Sequence, residues 1–329
     1  MSTYLITGGA GFIGSHLADA LVARGDRVTI LDDLSTGRRE NVGHLLDSPA
    51  VELVEGSVLD ADVVDELMAS CDACLHLASA VGVQLIMARP LESLLANVRG
   101  TDVVFAAAAR QRRRLLFTST SEIYGKGSDG ALDEDADRLL GSPFKARWNY
   151  AIAKSFAESL AHGYHRSDGA PMTVARLFNT VGPRQTGAYG MVLPRFVRQA
   201  LAGDELTVYG NGTQTRCFAH VRDVAQALLL LVESEGAVGR VFNVGAETEI
   251  AIVELARRII ERTGSASAVR LVPSDEAYEE GFEELGRRRP DTTAVRQLTG
   301  WAPARTVDDA IDDVIAEART RTGSDALAS

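Results

Sequence analysis

The sequence predicts a doubly wound α/β fold built on a parallel sheet, and three observations predict it. Short apolar runs rich in β-branched residues alternate with longer amphipathic stretches through the first half of the 329-residue chain. A glycine-rich turn joins the first such run to the first amphipathic stretch. Hydrophobic residues make up 46% and charged residues 24%, enough apolar material for a large core but too polar throughout for a membrane span.

Taken in order, strands are expected at Tyr4 to Thr7, Val28 to Asp32, Val51 to Glu55, Ala73 to Leu77, Leu115 to Ser119 and Met172 to Leu177. Helices are expected near Phe12 to Ala23, Ala61 to Ala69, Leu91 to Arg113 and Arg147 to Arg166. Repeated strand–helix–strand units assemble as a parallel sheet with helices on both faces. After Asn179 the rhythm breaks, with turn residues through Gly182 to Tyr189 and Gly203 to Thr215, which reads as a smaller, less regular α/β cap. The apolar run Val221 to Val232 and a strand Val241 to Val244 are expected to return to the main sheet. The expected division is therefore 1–178 with about 217–246 in one domain, and 179–216 with 247–329 in the other.

A formal net charge of -11 argues against a nucleic-acid partner, because phosphate neutralisation needs clustered cations not offset by acids. Two basic runs stand out. Arg110, Arg112, Arg113 and Arg114 are expected to close a helix, where cations meet the negative end of its dipole. Arg287 to Arg289 follows an acidic stretch, Asp275 to Glu284, expected to be a solvated loop. Cys71, Cys74 and Cys217 are too few for a disulfide framework, and Cys71 and Cys74 read as buried, inert thiols with no metal site. No basic, apolar and small-residue leader opens the chain, so a cytoplasmic location is expected.

The glycine turn carries the first chemistry. Gly8, Gly11 and Gly14 follow the first strand in the order T-G-G-A-G-F-I-G and run straight into a helical pattern. Glycine there permits a tight turn, lets backbone approach a pyrophosphate and packs helix against strand, while the helix N-terminus attracts phosphate. The second strand ends at Asp32, placed to accept bonds from adenosine ribose hydroxyls, so the pattern is a Rossmann fingerprint and favours NAD. Arg38 and Arg39 nearby are the argument for NADP.

Tyr150 and Lys154 lie four apart in an expected helix and so share a face. With seven tyrosines and three lysines in the chain, roughly 0.06 such pairs are expected by chance, so the spacing is a signal. An ammonium beside a phenol favours phenolate and would lower its pKa toward that of a working general base. The fifth strand ends in Thr118-Ser119-Thr120-Ser121-Glu122-Ile123-Tyr124-Gly125, at the carboxyl edge where such sheets hold ligands.

With these motifs in view, the chain resembles the extended short-chain dehydrogenases/reductases that modify nucleotide sugars. Further matches are H-L-A at 76–78, N-V-R-G-T at 97–101, R-L-F-N-T-V-G-P-R at 176–184, L-T-V-Y-G-N-G-T-Q-T-R at 206–216, R-R-P-D at 288–291 and G-W-A-P at 300–303. The resemblance implies a cofactor set of Gly8, Gly11, Phe12, Ile13, Gly14, Asp32, Asp33, Thr36, Gly37, Arg38, Ser57, Val58, Leu77, Ala78, Asn97, Tyr150 and Lys154. Ser57 departs from the family, where many members carry Asp beside the adenine. It also implies a nucleoside-diphosphate sugar under the cap, with Asn179, Arg216 and Arg288 near the pyrophosphate, Thr207, Val208 and Tyr209 beside a uracil-like base, and Thr120 and Arg195 on the substrate. The helices Leu91 to Arg113 and Arg147 to Arg166 are those that relatives pair into a homodimer.

The resemblance implies removal of a sugar hydroxyl proton by Tyr150, tuned by Lys154, with transient oxidation to a 4-keto sugar. Its fate could be decarboxylation, 4-epimerisation or 4,6-elimination. Thr120-Ser121-Glu122 is similar to the pattern of UDP-glucuronate decarboxylases, with the acid facing C5, giving UDP-xylose or its 4-keto pentose. A UDP-sugar 4-epimerase, acting on UDP-glucuronate/UDP-galacturonate or UDP-glucose/UDP-galactose, is the alternative. Glucuronate epimerases share G-P-R-Q but often continue with arginine where this chain has Thr186. A 4,6-dehydratase or a non-catalytic NAD-binding regulator fits the motifs less well.

Overall fold

The structure is a computed structural model that describes residues 1–80, 90–126, 130–145, 148–187, 191–273 and 287–327. The acidic stretch Asp275 to Glu284 and Arg147, the expected start of a helix, lie outside the described residues.

The β-branched runs of the first half become β1 (Thr3–Thr7), β2 (Arg27–Asp32), β3 (Val51–Glu55), β4 (Ala73–His76), β5 (Arg114–Thr120) and β6 (Met172–Leu177), and β11 (Val241–Val244) joins them. All pair in parallel in the order β11-β6-β5-β4-β1-β2-β3. The chain reverses direction across the sheet between β1 and β4, and a crevice opens there at the carboxyl ends of the strands. Helices α1 (Phe12–Ala23), α2 (Ala61–Ser70), α3 (Pro90–Arg110), α4 (Asn149–Asp168) and α6 (Val221–Glu233) accompany the strands. One cluster, including Ile6, Leu17, Ile30, Leu75, Leu228 and Phe242, fills the α1 and α6 side. Leu5, Leu31, Met68, Phe105, Phe117 and Ala157 belong to a second cluster on the opposite face.

Two expectations are corrected. The run Val221 to Val232 does not enter the sheet; it forms α6, whose leucines at helical spacing bury against α1. Of the four arginines expected to close a helix, only Arg110 lies in its last turn, bonded to Asp65 at 2.7 Å. Arg112 turns the chain with φ +50°, and Arg114 is already in β5, donating to Val232 O at 3.1 Å. Cys71 and Cys74 are buried within the second cluster as free thiols.

The remaining elements form a smaller layer with its own apolar cluster around Leu193, Phe196, Leu206, Val208, Leu255, Ile259, Ile311 and Val314. They are α5 (Val192–Ala202), α7 (Ile252–Thr263) and α9 (Val307–Leu327), with strand pairs β7 (Thr180–Val181) with β10 (Ala219–His220), β8 (Leu206–Tyr209) with β13 (Val269–Val272), and β9 (Thr215–Cys217) with β12 (Glu249–Ala251), whereas α8 (Thr293–Thr299) packs Val295 into the first cluster, against α6 and β11. Among the described residues no helix is long and apolar enough to cross a membrane.

Candidate active site

A cleft of about 1960 Å³ lies between the carboxyl ends of the central strands and the smaller layer. Its floor is the glycine turn. Gly8 has φ +73°, and a Cβ there would lie 2.7 Å from Ala78 N; one at Gly14 would lie 2.3 Å from Gly8 O. Only glycine lets β1 turn this tightly against the chain leaving β4. The Asp32 carboxylate accepts from Ala10 N and Leu34 N, each at 2.9 Å. Burial raises its pKa, and those backbone bonds oppose the rise.

Every residue of the expected cofactor set lines the cleft except Arg38. Arg38 is exposed, and its backbone N–H is spent on Ala10 O. Arg39 pairs with Glu55 at 2.6 Å, so neither arginine faces the cleft as a partner for a 2′-phosphate. Asn97 accepts from Ser79 Oγ and Ala80 N at 2.8 Å and donates to Ala80 O at 3.1 Å, fixing the chain beyond β4. A tight backbone cradle, a helix N-terminus and a buried acid at the end of β2 fit a dinucleotide with free ribose hydroxyls.

At the other end, Thr120, Ser121, Glu122, Asn179, Arg195, Tyr209, Arg216 and Arg288 line the same cleft. Thr207 and Val208 do not, which corrects their assignment. Strand alternation turns Val208 into the cap core with no exposed surface, and Thr207 is bonded to Gln199 through both its N–H and its hydroxyl. Tyr209 faces the cleft with Arg195 stacked on it, the guanidinium carbon 4.2 Å from the ring centroid. Asn179 donates to Cys217 O at 3.5 Å.

The residues expected to carry the chemistry share this cleft. Tyr150 and Lys154 share a face of α4, and Lys154 Nζ donates to Thr118 O at 2.8 Å, tying the helix to the end of β5. Thr120 caps the 3-10 turn Ser121–Tyr124 by accepting from Glu122 N at 3.2 Å. Glu122 lies 3.9 Å from Arg288 Nη1, which also donates to Ser121 Oγ at 3.5 Å. Arg288, a residue expected to meet the pyrophosphate, lines the cleft with its guanidinium beside the acid of the T-S-E motif.

The expected tuning of the phenol is not what the protein itself provides. Burial, and then the charge of Glu122, push the Tyr150 hydroxyl above its usual range, against a hydrogen bond shared with Ser79. Burial likewise pushes Lys154 down to about 7, opposed by the charge of Glu158. Lys154 is therefore a source of positive charge only while it stays protonated, and what sustains that proton matters to the site.

A profile of the NAD dependent epimerase/dehydratase family matches residues 4–245. The chain belongs to this family. It is 42% identical over 300 residues to a UDP-N-acetyl-alpha-D-glucosaminuronate decarboxylase of Bacillus cytotoxicus, covering 91% of this chain and 92% of that one. It is 36% identical over 313 residues to UDP-glucuronic acid decarboxylase 1 of Xenopus tropicalis, covering 94% and 70%. Among solved structures it is similar to UDP-glucose 4-epimerase of Thermotoga maritima with UDP-glucose, at TM-score 0.87 and 26% identity, covering 97% and 99%. It is also similar to UDP-glucuronic acid 4-epimerase of Bacillus cereus with UDP-glucuronic acid and NAD, at TM-score 0.86 and 25% identity, with the same coverage.

As an NAD-dependent member of the epimerase/dehydratase family, the chain uses several residues that its motifs alone do not announce. Ser79 shares a hydrogen bond with the Tyr150 phenol, and His76 is locked between Thr7 Oγ1 at 2.7 Å and Thr101 Oγ1 at 3.3 Å near Lys154. The H-L-A match ends one residue before Ser79; the only sequence cue was its position just after β4.

Proposed function

We propose that the chain decarboxylates a UDP-linked uronic acid, with UDP-glucuronate as the reference substrate. The observation that carries this reading is the grouping of Glu122, Ser121 and Arg288 in one cleft with Tyr150. NAD, when bound, supplies the acceptor and later the donor of the C4 hydride. Tyr150 takes the C4 hydroxyl proton, and Thr120 orients that hydroxyl. The resulting β-keto acid breaks its C5–C6 bond, releasing carbon dioxide and leaving the electron pair in the C4 enolate. Glu122 attends C5, where a proton must then be delivered, and the Arg288 guanidinium beside it neutralises the carboxylates that meet there. The names of the curated relatives, decarboxylases of UDP-glucuronic and UDP-N-acetylglucosaminuronic acids, support the same class.

The reading includes a division into a cofactor domain of 1–178 with about 217–246, and a nucleotide-sugar domain of 179–216 with 247–329. The reading includes a cytoplasmic homodimer, paired through α3 and α4, where Leu91, Leu95 and Phe156 are exposed. The test is incubation of purified protein with NAD and, separately, UDP-glucuronate and its 2-acetamido analogue. Release of carbon dioxide with a UDP-pentose product is expected from at least one. Conversion of UDP-glucuronate to UDP-galacturonate without gas would establish the 4-epimerase instead, a reading that the Bacillus cereus structure favours.

A further inference from the structure

Among the described residues, two uncharged side chains that line the cleft carry a buried polar atom with no hydrogen-bond partner, Ser119 Oγ and Gln185 Oε1. A serine hydroxyl can turn to find a partner; the Gln185 amide cannot. Its Nε2 donates to Thr180 O at 3.0 Å, and exchanging the two ends of the amide would set oxygen against oxygen, so Oε1 is held as an acceptor. A buried acceptor without a donor is costly, which leaves this one for a donor brought by a ligand. The turn that carries it is fixed from both layers. Arg184 takes a left-handed backbone, φ +68°, which a residue other than glycine keeps only when its surroundings impose it. Arg184 N donates to both oxygens of Glu317 on α9, at 3.0 and 2.8 Å, and its guanidinium pairs with Asp19 on α1 at 2.8 Å. His16, also on α1, donates to Pro183 O at 3.0 Å, and Gln185 N donates to Gly182 O at 3.4 Å.

We propose that Gln185 is a specificity residue of the sugar site: its Oε1 accepts a hydrogen bond from a hydroxyl or an amide N–H on the C2–C3 edge of the sugar ring. The inference rests on the C4 chemistry at Tyr150 proposed above. An amide oxygen takes a donor and repels an anionic oxygen, so neither the C6 carboxylate nor the pyrophosphate belongs beside it. With C4 at Tyr150, C5 and C6 at Glu122 and Arg288, and C1 joined to the pyrophosphate, the ring keeps one unassigned edge, C2–C3, whose substituents are donors. The segment of Gln185 leaves β6, where Leu177 is the register partner of Thr120, and its amide is tied to Thr180, three residues on. Gln185 therefore belongs to the end of the cleft that holds the reacting ring. Gly187, also in the lining, brings no side chain there, although among the described residues a Cβ would meet nothing beyond its chain neighbours closer than 3.6 Å. That space is left to the ligand.

The test is calorimetric titration of NAD-loaded Tyr150→Phe protein, with Gln185 intact and with Gln185→Met. The ligands are UDP, UDP-glucuronate, its 2-acetamido analogue, and its 2-deoxy and 3-deoxy analogues. With Gln185 intact, the deoxy ligand that lacks the contacted donor is expected to bind about tenfold more weakly than its parent, the size of one neutral hydrogen bond. In Gln185→Met the parent is expected to fall by the same factor and that deoxy ligand by no more than about twofold, a coupling that general damage to the site does not produce. Affinities for UDP and NAD are expected to stay unchanged, which excludes the uridine and nicotinamide groups as the donor. The loss in Gln185→Met falls on the 2-hydroxy sugar, the 2-acetamido sugar or both, and so identifies a hydroxyl or an N–H as the donor. Additive losses, a loss carried over to UDP or NAD, or equal affinity of intact Gln185 for all the sugars would overturn the proposal. Should Gln185→Met not fold, the deoxy ligands on intact Gln185 decide alone. Failure of the decarboxylase reading would show as no carbon dioxide from wild type with any UDP-uronate, and would leave these binding ratios as they are.

Discussion

The two ends of the cleft are built in opposite ways. At the cofactor end, backbone does the shaping: between Gly8 and Gly14 a single turn places main-chain atoms where no side chain fits, and Asp32 is fixed by two N–H groups. At the sugar end, side chains converge from distant segments, and Ser121 meets Arg288 across 167 residues of chain. A site made of backbone tolerates few substitutions but is specified locally. A site made of side chains can change specificity one residue at a time, but exists only after the whole chain has folded.

The comparison can be broken or sharpened by substitution. The largest effect is expected where the two ends meet. Tyr150→Phe should lower turnover of the UDP-sugar by about a thousandfold while NAD still binds, as expected for loss of a general base, and steady-state kinetics with NAD calorimetry check both halves. Full turnover in that variant would remove Tyr150 from the chemistry. At the cofactor end, Gly14→Ala forces a Cβ to within 2.3 Å of Gly8 O, and should destabilise the fold by roughly 1–3 kcal/mol and weaken NAD binding. Gly163→Ala on α4 meets open space and should leave NAD binding unchanged while stabilising the helix by about 0.5–1 kcal/mol, so equal melting temperatures for the two variants would refute the tight-turn argument. At the sugar end, Arg288→Met should raise the KM for the sugar roughly 10- to 100-fold by removing charge-assisted bonds, without altering NAD affinity.

The smallest effect is expected outside both ends. Arg287 pulls Glu249 down to about 2, helped by a bond from Thr215. A depressed carboxyl stabilises the fold above its ordinary range, near 4.5, and loses that contribution as pH falls toward 2. Because Arg287 is 43% exposed, the pair should contribute less than about 1 kcal/mol. Melting curves of Glu249→Gln and wild type should differ slightly at pH 6 and draw together as pH falls from 4.5 to about 2.

The same contrast governs what could be read from sequence. The glycine turn and the Tyr150/Lys154 spacing are local patterns, and the central strands announce themselves by β-branched runs. Val221 to Val232 misleads because a continuous apolar run is compatible with either a strand or a buried helix. Val208 misleads because a motif match names a segment, whereas alternation decides which of its residues face the ligand. Arg288 was legible as an anion-binding residue but its neighbour was not, since contact with Glu122 depends on how a distant segment returns over the cleft. Glu158 and Arg176 lie 18 residues apart on a helix and a strand, and only the packing of α4 beside β6 makes them partners.

The three consecutive arginines past the acidic stretch end in different places. Arg287 grips Glu249 on the cap's edge strand, Arg288 enters the cleft, and the Arg289 carbonyl accepts from Leu132 N at 2.8 Å. Identical side chains take these three fates solely through their order along a segment pinned at Pro290 by its bridge to Leu132. Inserting or deleting a single residue between Pro290 and Arg288 would send the wrong arginine inward, although composition and net basicity stayed the same. Length, rather than charge, is the quantity under constraint in that stretch.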